Sequence, residues 1–232
     1  MKNILLRGVG LLLLIGFLAL SHATISTYAA DPGQDKTAIQ AETLKKSSPY
    51  TTLDKTKVSK SDAEAFSIGS AMIRAIIFSI AAHDDKQFIS DASLELADLI
   101  DLLGGHPEEK LLREALRMVV RGTGTIDQRF DLIDQARELH RRELAGTALW
   151  YFDAGVIVPY ITVSIYAKDA KLLQSDLKVL ENLVATAPKG VPAGLLNPMR
   201  ELARFAKQSA FSEKDFLAIG QGVDSIVDAV YS

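Results

Sequence analysis

The chain of 232 residues has no cysteine at all, one tryptophan, 7% aromatic residues and no excess of positive charge. Each shortage removes a class of protein. Without cysteine there is no disulfide scaffold, no thiolate zinc site and no c-type haem attachment. A formal charge of −3 offers no surplus of basic side chains for the phosphates of a nucleic acid. Catalytic signatures are also missing: there is no nucleophile elbow, Walker loop, Rossmann glycine pattern or His-Glu-x-x-His pair. What remains is 48% hydrophobic and 24% charged, which is ample for a packed core and too apolar for a disordered chain.

Residues 1–30 have the three parts of a secretory signal. Lys2 and Arg7 form a basic start, Val9 to Leu20 an apolar run, and small polar residues follow. Twelve apolar residues fall short of the roughly 20 that a bilayer span requires. Cleavage after Ala23 or after Ala29 satisfies the small-x-small rule equally, so both remain open. The reading is an exported protein, periplasmic or extracellular. Its removal takes two basic residues and no acids, which leaves the mature chain near −5. Absence of free thiols suits an oxidising compartment.

Residues 31–60 are rich in Lys, Thr, Ser and Asp and hold Pro32 and Pro49, so they bury too little apolar surface to offset the entropy of ordering and read as a flexible tether. From residue 61 to 232 every punctuation mark is helical. Ser61 and Glu64 have capping-box spacing, as do Thr125 and Gln128. Gly104-Gly105 provides a left-handed helix exit, and Pro107 followed by Glu108 and Glu109 opens a helix. The helix from Ile126 is expected to run at least to Phe152. Residues 154–167 alternate like a strand, yet no other segment could pair with them, so they are assigned as helix with a bend at Pro159. Asn197-Pro198 opens another helix, and Ser212 the last. The expected fold is an all-α helical bundle of about seven helices behind the tether.

Two charges stand alone in apolar surroundings. Arg74 is the one charge between Ala65 and Ala82, and Asp153 the one charge between Leu144 and Ala167. Burying either without a counterion would cost several kcal/mol, so the two are expected to pair with each other. The same stretches, 65–82 and 144–167, are 18 and 24 residues long, and membrane association through them is the rival to a buried hairpin.

Three histidines follow the signal. If the helix after Pro107 and the helix after Thr125 run antiparallel, each climbing about 20 Å at 1.5 Å per residue, His106 and His140 lie level. His140 falls on the apolar face with Ile133 and Ala136, and Glu143 is expected to face inward one turn on. His106, His140 and Glu143, with Glu108 or Glu109 as a further donor, could hold zinc, copper or iron. Against this, histidine is a common cap or core residue, and Arg141 and Arg142 oppose a cation. The expectation is therefore structural histidines with no tightly held metal and no cofactor. The first functional reading is a non-enzymatic envelope protein that binds a protein partner or an apolar ligand. The alternatives are a metal- or cofactor-binding bundle through His106 and His140, or a membrane-embedded envelope component.

Overall fold

The computed structural model describes residues 58–231, and within them it is all helical. The signal segment and nearly all of the tether lie outside the described residues. Val58 is already buried, and Ser59 rather than Ser61 caps the first helix: its Oγ accepts the Asp62 amide at 3.2 Å. The first helix is therefore capped two residues earlier than the capping-box spacing indicates. Eight α-helices follow: α1 Lys60–Asp84, α2 Phe88–Leu102, α3 Glu108–Arg121, α4 Ile126–Glu143, α5 Gly146–Tyr166, α6 Ala170–Ala185, α7 Ala193–Arg204 and α8 Glu213–Tyr231.

The expected long helix from Ile126 to Phe152 is two helices. It breaks at Leu144 and Ala145, both extended, and restarts at Gly146 with φ +61°, a conformation that glycine adopts without cost. Residues 154–167 are helical as elimination suggests, with Pro159 carried inside α5. The helix expected to open at Asn197 starts four residues earlier, at Ala193, and holds Pro198 in its interior. At Thr125 the reciprocal cap forms in full, with Gln128 N donating to Thr125 Oγ1 at 3.2 Å and Thr125 N to Gln128 Oε1 at 2.9 Å. Gly105 takes the left-handed exit at φ +87°.

At the centre, α1 crosses α5. The two touch backbone to backbone because each has a glycine at the crossing: a Cβ on Gly69 would lie 2.3 Å from the Phe152 carbonyl oxygen, and one on Gly155 would lie 2.0 Å from that of Phe66. Both helices are long and apolar enough to cross a membrane, with 83% of the apolar window buried in α1 and 56% in α5. Around α1 lie α2, α4 and α5, and α3 bridges α2 and α4. A second group continues the chain: α6 packs on α5, α7 on α6, and α8 on α7 and back onto α5 and α1. Its core is aliphatic, built from Leu173, Leu177, Leu180, Leu195, Met199, Leu202, Ile219 and Ile226. Trp150 stitches the groups together, its Nε1 donating to the Leu183 carbonyl at 2.8 Å.

Candidate metal-binding site

The seam between α3 and α4 explains where the polar side chains meet. Glu108, Leu112, Ala115 and Val119 are the buried stripe of α3; Arg129, Ile133, Ala136 and His140 are that of α4. Both stripes follow the 4, 3, 4 spacing of one helix face and span about 16 Å. Because the helices are antiparallel, Glu108 meets His140 at one end of the seam while Val119 and Arg129 lie toward the other.

At the first end, His140 Nδ1 and Glu108 Oε1 are 3.2 Å apart. Glu108 has 0% of its surface exposed and His140 7%. A carboxylate accepts and does not donate, so Nδ1 carries the proton of this bond. Burial pushes the imidazole below its ordinary pKa, and the attraction of Glu108 does not make up the difference. Phe152 packs beside the ring, centroids 5.5 Å apart. Two buried atoms here have no hydrogen-bond partner among the described residues, Glu108 Oε2 and His140 Nε2. A buried carboxylate oxygen left bare is expensive.

His106 stands in the turn before α3, and Glu143 is the last residue of α4. Their side chains are about half exposed, with His106 Nδ1 3.6 Å from Glu143 Oε2. One donor atom from each of His106, Glu108 and Glu143 lies within 4.8 Å of the other two. The histidines are level, as helix lengths imply, but two details differ. Glu143 is at the surface instead of facing inward, since the helix ends on it. His140 stands behind Glu108 rather than among the converging donors. Glu109 is committed elsewhere: it accepts the Gly105 amide at 2.8 Å and Arg113 at 2.6 Å, and those bonds, the backbone one first, hold its carboxyl below the usual range.

Donors around a tetrahedral zinc at about 2.1 Å sit about 3.4 Å apart, so the trio must close by roughly 1 Å. The half-exposed His106 and Glu143 have room to swing, whereas Glu108 is fixed. The helix dipole does not help, because Glu108 opens α3 at the positive end, which favours the ionised carboxylate but not a cation. The two carboxylates, carrying two negative charges, supply the attraction. Arg141 is neutralised: it forms a two-pronged bond with Asp153, at 2.8 and 2.9 Å, across the break between α4 and α5.

That bond corrects the expected Arg74–Asp153 pair. In one continuous helix Arg141 and Asp153 would be about 18 Å apart, and the chain reversal at Ala145 brings them together. Arg74 instead holds Glu95 of α2 through Nε and Nη2 at 2.8 and 2.9 Å, and its Nη1 donates to Ser70 at 2.9 Å. Isolation within its own apolar run identified each residue as needing a partner without identifying the partner, which comes from a charged neighbouring helix.

Arg129, at 2% exposure, carries no sequence signal except its place on the α4 stripe. Its guanidinium meets carbonyls, Thr123 O at 2.8 and 3.1 Å and Ser79 O at 3.3 Å, and so closes the C-terminal end of α3. Elsewhere an open cleft of about 250 Å³ lies over α6 and α7, bordered by Glu181, Arg200, Arg204 and Lys207. Comparison with family models, with curated proteins and with solved structures finds no match for this chain.

Proposed function

We propose that this chain is an exported helical-bundle protein that binds a divalent transition-metal ion at His106, Glu108 and Glu143. The observation that carries the reading is the bare Oε2 of the fully buried Glu108 carboxylate, in a trio whose donors approach within 4.8 Å. One imidazole nitrogen and two carboxylate oxygens are a zinc-type donor set, with further coordination positions open toward solvent. This reverses the preference drawn from the sequence, where Arg141 and Arg142 counted against a cation; Arg141 is paired with Asp153, and the exposed Arg142 is left to oppose the two carboxylates. An apolar ligand is less well served. The α6–α7 cleft is open and edged by charged side chains, and the large exposed hydrophobic residues Leu94, Val120, Tyr166 and Leu217 lie on four different helices, α2, α3, α5 and α8.

Export is argued from residues 1–30 alone, and the packing of residues 65–82 against 144–167, which buries 83% of the apolar window of α1 and 56% of that of α5, supports a buried hairpin over a membrane-embedded component. Equilibrium dialysis of the mature protein against zinc at about pH 7.5, followed by elemental analysis, tests the site. One equivalent in the wild type, lost in Glu108→Gln and weakened in Glu143→Gln, is expected. Zinc retained equally by all three proteins, or by none, would refute the reading.

A further inference from the structure

His140 touches the proposed ligand Glu108 through Oε1, and that contact bears on which ions the site accepts. A free carboxylate can offer either or both oxygens. Here Oε1 faces the Nδ1–H of His140 at 3.2 Å, and Oε2 is buried with no hydrogen-bond partner among the described residues. The ring cannot turn away easily, since it is wedged beside Phe152 on a stripe that includes the fully buried Ile133 and Ala136. We propose that His140 is a positioning residue that holds Glu108 as a one-oxygen ligand, so that the site takes zinc-type ions and rejects calcium. This rests on the metal-binding reading above and adds a role for the fourth residue.

The chemistry follows from donor counting. Calcium takes six to eight oxygens and commonly both oxygens of a carboxylate. With Oε1 occupied, the trio supplies one nitrogen, one Glu108 oxygen and the Glu143 carboxylate, too few oxygens for calcium but sufficient for an ion that accepts nitrogen and keeps four ligands. Hydrogen bonds from behind a ligand fix its orientation, and their loss typically weakens metal binding 10- to 100-fold. In most metal sites a carboxylate stands behind a ligating histidine; here the roles are exchanged.

The test is titration of the full mature chain with cobalt(II), followed by its visible absorption, with zinc and calcium as competitors. In the wild type one equivalent of zinc displaces cobalt, and a thousandfold excess of calcium does not. His140→Phe keeps the ring volume but loses the donor, and should bind cobalt roughly 10- to 100-fold more weakly. His140→Asn places an amide N–H where Nδ1 stands and should recover most of that loss. If the wild type binds no cobalt, the metal-binding reading itself falls. If it binds, but His140→Phe binds as tightly, or His140→Asn is no better than His140→Phe, the positioning role alone is refuted. Displacement by calcium also refutes it and needs no variant, which covers the case of a His140→Phe chain that does not fold, as judged by circular dichroism.

Discussion

The first five helices and the last three are built on different principles. Among the described residues, all eight buried polar or charged ones, from Ser67 to Ser164, belong to α1–α5, and α6–α8 bury none. The second group is a plain aliphatic layer whose leucines follow helical spacing. The first group tolerates Arg74, Glu108, Arg129 and His140 in its interior, each held by hydrogen bonds to neighbouring helices. Buried polar groups seldom add stability over apolar ones of similar size, so their concentration in one half marks where the fold has kept something other than packing. The difference sets a polar interior, which includes the α3–α4 seam, beside an apolar one.

The largest effect is expected at the α1–α5 crossing, which holds the first group together. Gly155→Ala forces a methyl group onto the Phe66 carbonyl, a backbone atom that cannot rotate away, and should cost about 3 kcal/mol or more in urea melts. A loss under about 1 kcal/mol would mean that the helices are not in backbone contact.

Next comes the Arg74–Glu95 pair. Removing the guanidinium strands a mostly buried carboxylate, so Arg74→Ala should cost about 3 kcal/mol. In double-mutant cycles, Arg74 and Glu95 should couple by more than about 1 kcal/mol, while Arg74 and Asp153 should add to within about 0.5 kcal/mol. The opposite pattern would restore the pair that isolation in the sequence suggests.

The smallest change belongs to the second group. Gly220 lies inside α8, and a Cβ there would meet nothing within 4 Å. Gly220→Ala should therefore stabilise the protein by about 0.5 to 1 kcal/mol through helix propensity. Destabilisation in a thermal melt would show that α8 is packed more tightly than the aliphatic-layer description allows.

Much of this was legible in the residues. Helix periodicity and caps such as Thr125 with Gln128 are local, and they carry the all-helical fold. The level placement of His106 and His140 followed from counting rise along two antiparallel helices. What was not legible depends on chain reversal and on neighbours. The break at Leu144 and Ala145 falls where the charged Arg141-Arg142-Glu143 gives way to the apolar run, and Gly146 is the one helix-breaking residue there. Missing it hid the Arg141–Asp153 bond. The Arg74 partner sits on α2, which carries several acids, and nothing in the sequence distinguishes Glu95 from Asp91, Asp98 or Asp101. Burial of Glu108 had a readable signal: it precedes Leu112, Ala115 and Val119 on one helix face.

Metal binding is tested most directly by thermal melting of the wild type and Glu108→Gln, each with and without zinc. An ion that binds the folded state alone adds about 2.7 kcal/mol at a concentration one hundred times Kd. The account predicts a zinc-dependent rise in Tm for the wild type and none for Glu108→Gln. An unchanged wild-type Tm, or an equal rise in both proteins, would contradict it.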